Sequence, residues 1–566
     1  MSKGFGIVAA AIFISATIVG GTFGGTAKRS FLTKGEASVA EQIEGAYRSA
    51  MTEVSANYAG EVDYEKATQA AIQGMLQTLD PHSMFFSPDE FKKLREDQNS
   101  RFYGIGVSIL RHRDGVYIQS TVPDTPAARQ GLRYGDRILE VDGKDAREWT
   151  GDQVSKQVRG ERGETVTLKI ERAGQKEPLY FNIVRDEVPL PSIGNAYMIK
   201  GGTGYIGLTR GFQHDTGEDL RAAIKNLKAQ GMRQLILDLR NNPGGLLDQA
   251  NEVASEFLPR GKTIVSVRGR EYNQPVVYRS TGTDPEDFPL VVLINRNSAS
   301  ASEIVAGAIQ DHGRGLVVGE TSFGKALVQR VYQLPYGAGL TLTTAKYYTP
   351  YGRSIQRDYS NGSFYDYYTR HSADEDTPPH TPTTKTSPSP SPTVAQPTPT
   401  PTPPPGPPVK TAAGRVFYDG GGVTPDYEVK PLAATALRLR IVETAFHFTR
   451  ELVAGQVPGL ENYRVEKPDF AHALRPTDYP ITDRIVEAFR NFVRRDPTFG
   501  IQPAQVDEEL DFIRLRVRDE IVTAAFNADS GARVLIESDP QVLRAVELLP
   551  DAKRLVESVR NAASIS

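Results

Sequence analysis

From Gly204 onward, short apolar runs alternate with helical segments, and this alternation constrains the fold more than any other feature of the chain. "GYIGL" leads to "TGEDLRAAIKNLKAQG", "QLILDLRNNPGG" leads to "LLDQANEVASEFL", and "PLVVLIN" leads to "SASASEIVAGAIQDHG". Apolar runs without polar alternation suit strands buried on both faces, and helices in between supply the crossovers of an α/β sheet. "GLVVGE", "ALVQRVYQL" and "GLTLTTAKYYTP" add further strands.

The chain has 566 residues, too many for one hydrophobic core, so several domains are expected. Residues 39–95 read as helical. Ala67, Ala70, Ala71, Met75 and Leu79 fall on one face, Asp80-Pro81 ends the helix, and Ser87-Pro88-Asp89-Glu90 opens another. Residues 102–188 turn to short β segments ("GIGVSIL", "GVYIQST", "DRILEVDG", "TVTLKIER") separated by glycine turns. His371 to Pro408 is proline-rich and too polar to pack, and is read as an extended loop insertion, because "GRVFYDGGGVTPDYEV" beyond it resumes core-like sequence. From Pro431 the chain is helical and charged, compatible with an accessory or homodimer-forming role.

Sixty-six basic and sixty-nine acidic side chains nearly cancel, so no nucleic-acid partner is indicated. The absence of cysteine excludes thiol catalysis and disulfides. Eight scattered histidines form no His-x-x-x-His pair, so neither a metal centre nor a cofactor is expected. After Lys3 the uncharged run "GFGIVAAAIFISATIVGGTFGG" has the length of a bilayer span. The expectation is export, with residues 1–27 a membrane anchor or signal peptide and the rest extracytoplasmic (periplasmic).

Lys325, in "GLVVGETSFGKALVQRVYQL", admits three chemistries. A phosphate loop needs Ser or Thr after the lysine and a helix behind it; position 326 is alanine, and the following residues alternate like a strand. Ser322-x-x-Lys325 lacks the companion motifs of penicillin-binding enzymes. The third chemistry makes the lysine a base for a serine elsewhere. In "INRNSASASEIVAG" a buried strand runs through small residues into a helix, where backbone N–H groups favour developing negative charge. Ser300 is the candidate there, although Ser300-x-x-Glu303 also reads as a capping box and Ser298 and Ser302 also suit caps.

Residues 102–188, with Tyr103-Gly104-Ile105-Gly106-Val107 and "GLRYGDRILEVDGKDA", resemble a PDZ domain. "LILDLRNNPGG", "NRNSASASEIVAGAIQDHGRGLVVGETSFGKALVQ", "AKYYTPYGRSIQ" and "GGGVTPD" look, in that order, like the C-terminal processing peptidases, or tail-specific proteases. The resemblance covers about residues 39–430. It implies a multidomain α/β protein: a crotonase/ClpP-like protease core, a β-rich PDZ domain, and helical N- and C-terminal regions. The corresponding boundaries are 28–98 for the N-terminal helices, 99–187 for the PDZ domain, 188–432 for the core with its insertion at about 371–412, and 433–566 for the C-terminal helices.

By the same resemblance Ser300 matches the nucleophile, Lys325 the general base and Gln329 its orienting partner. If the strand already begins at the lysine, an even separation puts Lys325 and Gln329 on one face. Ala301 with Gly245 (or Gly244) are the candidate oxyanion donors. Gly104, Ile105, Gly106 and Val107 would bind a substrate's terminal carboxylate, and Arg159 would couple that binding to the active site. Asp311 is read as a structural carboxylate. Ser322 replaces the usual threonine and Ala326 the usual glycine, which asks whether position 326 needs a positive φ. The implied partners are proteins with free C-terminal tails, and an adaptor is compatible with the same reading. The competing reading is a non-catalytic PDZ-containing envelope scaffold.

Overall fold

The computed structural model describes residues 34–98, 101–359, 406–411 and 414–565. The proposed anchor or signal segment and most of the proline-rich insertion lie outside the described residues. Among the described residues, no helix is long and apolar enough to cross a membrane.

The N-terminal region holds helices α1 (Lys34–Asn57) and α2 (Tyr64–Gln77), strand β1 (Met84–Phe86) and helix α3 (Pro88–Gln98). The face expected for α2 is not the one that packs. Met75 is 59% and Leu79 56% exposed, whereas Leu76 is buried and Gln73 accepts a hydrogen bond from the Phe85 N–H. In a helix rich in alanine the apolar pattern is too even to select a face, and a single leucine decides it.

The PDZ-like segment contains β2 (Arg101–Gly104), β3 (Val107–His112), β4 (Gly115–Thr121), α4 (Pro126–Gln130), β5 (Arg137–Val141), β6 (Lys144–Asp145), α5 (Gly151–Val158), β7 (Thr165–Glu171), β8 (Leu179–Val184) and β9 (Asp186–Pro189). Its main sheet runs β3-β4-β5-β7-β8, so β3 is an edge strand.

The core then builds β10 (Ile193–Ile199), β11 (Thr203–Leu208), α6 (Thr216–Ala229), β12 (Gln234–Asp238), α7 (Leu247–Ser255), β13 (Thr263–Gly269), β14 (Val276–Arg279), β15 (Leu290–Ile294), α8 (Ala301–Asp311), β16 (Leu316–Gly319), β17 (Leu327–Gln333), β18 (Gly339–Tyr348), β19 (Pro408–Lys410), β20 (Val416–Tyr418) and β21 (Tyr427–Glu428). One sheet runs β10-β11-β12-β15-β16-β21 and is parallel from β11 onward. An antiparallel sheet runs β1-β18-β13-β14, with β17 also paired to β18. β19 lies inside the stretch assigned to the insertion, because Pro408–Lys410 finds an antiparallel partner in β20.

The C-terminal region comprises α9 (Ala436–Val453), α10 (Asp483–Arg495), α11 (Pro503–Glu508), α12 (Leu510–Ala525), α13 (Ala528–Ile536) and α14 (Pro540–Ile565). Helices α9 to α12 form a bundle around Ile441, Phe448, Phe489, Ile513 and Val517, and the bundle rests on Tyr117 and Tyr134 of the PDZ-like segment. α14 does something else. One face of the parallel sheet packs on α6 to α8 and the antiparallel sheet through residues such as Leu235, Leu237 and Val292. The other face, with Ile236, Val291, Leu293 and Val318, packs on Val542, Ala545, Leu548 and Leu549 of α14. Each buried Val, Leu or Ile side chain among these contributes about 1.5–3 kcal/mol, so the last helix is part of the core.

Candidate active site

β15 is buried along its whole length and delivers the chain to a tight loop before α8. The three serines of that loop are treated differently. Ser298 Oγ donates to Leu239 O at 2.8 Å, and Ser302 Oγ donates to Asn242 O at 2.9 Å, which fixes the loop to the "NNPGG" turn. Ser300 Oγ is buried without a hydrogen-bond partner. Its backbone has φ 58° and ψ −114°, a conformation that costs a non-glycine residue roughly 1–3 kcal/mol. A strained serine with an uncommitted hydroxyl, at the N-terminus of a buried helix, has chemistry available that its two neighbours lack.

The capping box anticipated here forms only in part. Glu303 accepts the Ser300 N–H at 2.8 Å, while the Ser300 hydroxyl does not cap the helix. Instead Glu303 acts as a hub. Its Oε2 accepts both the Ser300 N–H and, at 2.9 Å, the Lys325 N–H. Its Oε1 accepts the Gly324 N–H at 2.7 Å and the Ser322 hydroxyl at 2.5 Å. The Tyr347 hydroxyl makes a second bridge, lying 3.0 Å from Ser300 O and 2.5 Å from Lys325 O. The backbones of the candidate nucleophile and base are therefore joined through one carboxylate oxygen and again through one phenol. Burial pushes the Glu303 carboxyl up to about 7, against the pull of its hydrogen bonds.

Lys325 is 3% exposed, and burial lowers its pKa to about 8, with Asp80 and then Glu303 pulling it back up. Phe323, Ala326 and Leu327 are fully buried around it in sequence. The positive φ in this turn belongs to Gly324 (87°), not to position 326, so alanine there is unstrained. Phe323 N–H donates to Ser298 O at 2.9 Å, a further tie between the two loops.

Gln329 sits differently from its expected place. The strand starts at Leu327, after the lysine, and its pairing with β18 is irregular between Val328 and Gln329. A bulge breaks period-2 counting, so the same-face argument fails. The Gln329 amide donates to Thr343 Oγ1 at 3.0 Å, and its oxygen is buried without a partner. Thr343 N–H donates to Ser83 Oγ at 3.1 Å, and Ser83 Oγ donates to Asp80 Oδ2 at 2.7 Å. The N-terminal "DPHS" segment thus reaches the lysine's surroundings, and the positive charge of Lys325, after burial, depresses the His82 pKa. Asp80, Ser83 and Tyr347 were not singled out from sequence; an Asp-Pro helix stop gave no sign of a tertiary role.

Of the two candidate glycines, Gly244 donates its N–H to Asn242 Oδ1 at 2.9 Å, so it is not available to an oxyanion. A Cβ on Gly244 would lie 2.6 Å from Ser300 Cβ and 3.0 Å from Ala301 N, and one on Gly245 would lie 2.2 Å from Phe212 O. These glycines let the turn press against the serine loop. Ala301 and Gly245 remain the candidate donors; the Ala301 N–H is the first of α8 and has no acceptor within the helix. Asp311 is ion-paired to buried Arg353 at 2.6 Å and accepts the Tyr351 N–H. It holds the "YGRSIQ" loop.

In the PDZ-like segment, Ile105 is buried, and Gly106 has φ 82° with Thr125 where a side chain would go. Val107 opens β3, the edge strand that offers unpaired backbone groups to an extended peptide. The Arg159 guanidinium stacks on Phe102 at 4.1 Å, beside Gly104.

Comparisons with known proteins bear on both halves of the molecule. Residues 202–362 match the model of peptidase family S41, and residues 93–171 match that of the PDZ domain. The carboxy-terminal-processing protease of Bartonella bacilliformis is 38% identical over 352 residues, which are 61% of this chain and 79% of that one. The chain belongs to peptidase family S41. This S41 peptidase is also 35% identical over 351 residues to a probable CtpA-like serine protease of Staphylococcus haemolyticus, covering 62% and 68% of the two chains. Among solved structures it is similar to a photosystem II D1 C-terminal processing protease, with 28% identity, a TM-score of 0.33, and coverage of 63% of this chain and 91% of that one. The protein is a serine-type peptidase of multidomain α/β architecture with a PDZ domain.

Proposed function

We propose that this S41 peptidase cleaves exported proteins near their C-terminal tails by a Ser300–Lys325 dyad, outside the cytoplasm and tethered by the segment before residue 28. The dyad rests above all on the single carboxylate oxygen of Glu303 that accepts both the Ser300 and the Lys325 N–H groups. Burial gives Lys325 a neutral fraction near neutral pH, so it can take the Ser300 Oγ proton as the oxygen attacks the scissile carbonyl. The Ala301 and Gly245 N–H groups receive the oxyanion. The ammonium then protonates the leaving amine, and water, activated by the same lysine, releases the acyl group from Ser300. Gln329 is anchored by its donation to Thr343, and its unpartnered amide oxygen is the group left to orient the amine. The PDZ domain binds the tail along β3, with its carboxylate at Gly104–Val107 and Arg159 beside it. An adaptor and a homodimer fit this reading without being required by it.

The test is digestion of an unstructured protein with a free C-terminus by wild type, Ser300→Ala and Lys325→Ala, alongside the same protein amidated at its C-terminus. Cleavage by wild type alone, slowed by amidation, is expected. Equal cleavage by Lys325→Ala rejects the dyad, equal cleavage of the amidated tail rejects carboxylate recognition, and no cleavage by any form favours the scaffold.

A further inference from the structure

One cluster of side chains shares no residue with the hydrogen bonds that join Ser300 and Lys325. It lies at the joint between the PDZ domain and the C-terminal bundle. The end of β3 brings His112, the turn after it brings Asp114, and α9 brings Glu443 and His447, one helical turn apart on one face. His112 Nδ1 is 2.8 Å from Glu443 Oε2, across 331 residues of sequence. His447 Nε2 is 3.2 Å from Glu443 Oε1 and 3.9 Å from Asp114 Oδ1. One donor atom each from His112, Glu443 and His447 lies within 4.8 Å of the others.

We propose that His112, Glu443 and His447, with Asp114 or water completing the shell, bind a divalent transition-metal ion of the zinc class that crosslinks the PDZ domain to the C-terminal bundle. Imidazole nitrogens and carboxylate oxygens bind zinc at about 2.0–2.1 Å, which sets neighbouring donors of a tetrahedron about 3.3 Å apart. His112 and His447 approach Glu443 at 2.8 and 3.2 Å through its two different oxygens, and one donor atom from each of the three residues lies within 4.8 Å of the others, so side-chain adjustments bring the donors to that spacing. Two imidazoles and carboxylate oxygens form a donor set that suits zinc and excludes the hard, all-oxygen cations.

The surroundings also restrain the ligands. The His112 ring is stacked on Phe446 at 3.7 Å, Tyr117 donates its hydroxyl to Asp114 at 2.9 Å, and the Arg113 N–H donates to Glu443 Oε1 at 3.1 Å. Such outer contacts fix ligand orientation. On binding, the two imidazole–carboxylate hydrogen bonds give way to metal bonds, and each ring nitrogen facing the ion gives up its proton to the ring's other nitrogen or to water. The cluster shares no residue with the Ser300–Lys325 network, so the ion governs how firmly the PDZ domain is held, not the bond-breaking step. Sequence spacing hid it, since Glu443 and His447 meet His112 only through the fold.

The test uses full-length protein without a histidine tag, carrying Ser300→Ala to prevent self-digestion and stripped of metal. Zn²⁺ is titrated in competition with a chromogenic chelator. One ion per chain is expected, with affinity at least about tenfold weaker in Glu443→Gln and in His447→Gln, the scale on which even outer partners of a ligand act. Binding below one equivalent, or equally tight binding by both variants, overturns the proposal. Should the variants fail to fold, Co²⁺ is added to the parent protein. Visible bands of a four- or five-coordinate nitrogen–oxygen site, abolished by Zn²⁺, support the assignment, and the spectrum of the hydrated octahedral ion overturns it.

Discussion

Replacing Lys325 by methionine should make the protein more stable while abolishing its activity. Burial depresses the lysine from 10.5 to about 8, and at 1.36 kcal/mol per unit that difference is a cost of about 3 kcal/mol for keeping the ammonium in its site at pH 7. Methionine fills similar space without charge. The carboxylates it would leave behind are not stranded, because Glu303 accepts three backbone N–H groups and a hydroxyl, and Asp80 accepts the His82 and Ser83 N–H groups and the Ser83 hydroxyl. A gain of about 2–3 kcal/mol at pH 7 is therefore expected, visible as a higher urea midpoint at unchanged m-value. The sign of the pH dependence follows from the depressed pKa. Below pH 8 both folded and unfolded wild type carry the proton, and the full cost is present. Between pH 8 and 10.5 the unfolded chain binds more protons, so wild-type stability climbs toward that of the variant. Paired urea titrations of Lys325→Met and wild type at pH 7 and pH 10, both carrying Ser300→Ala, measure this. A variant less stable than its parent at pH 7, or a difference that does not shrink by pH 10, would refute the reasoning.

Glu303→Gln keeps the shape of the hub but leaves at least one backbone N–H facing an amide NH₂; a lost hydrogen bond to a charged group is worth about 1.5–3 kcal/mol, so kcat should fall about 10- to 100-fold with KM little changed, and kcat within twofold of wild type would show that the hub does not align the dyad. In wild type, kcat/KM should rise with pH through about 8 as Lys325 loses its proton; Asp80→Asn removes the larger of the two charges that stabilise the ammonium and should move this rise to lower pH, whereas a move to higher pH contradicts the placement of Asp80. Gly106→Ala puts a methyl within 2.3 Å of Thr125 at a φ of 82°, so cleavage of a tail-bearing protein should drop while hydrolysis of a short peptide ester that bypasses the PDZ domain stays near wild type.

The two candidate reacting residues owe their place to local signals and their roles to the family resemblance. A strand running into small residues and then a helix marks Ser300, and a glycine turn ahead of an alternating segment marks Lys325. Gln329 shows where such reading stops: the bulge at Val328–Gln329 depends on how β17 meets β18, and no count along one strand contains it. Glu303 was visible as a capping residue, yet its second role needs a loop some twenty residues further on to fold back over it. Asp80 and Ser83 are more remote still, reaching the site only because β1 adds to the edge of β18. The α/β alternation announced the sheet but not what covers its second face, since a charged C-terminal helix resembles any surface helix until its apolar stripe meets Ile236, Val291 and Leu293.

That covering helix makes the Ser300 loop depend on a segment remote from it in the chain. The strand that leads to Ser300 is covered on one side by residues 540–565. Without that helix in place, one side of the sheet lies bare and the strained turn at Ser300 loses part of its support. Proteolytic competence thereby comes to rest on packing behind the sheet as well as on the groups in front of it.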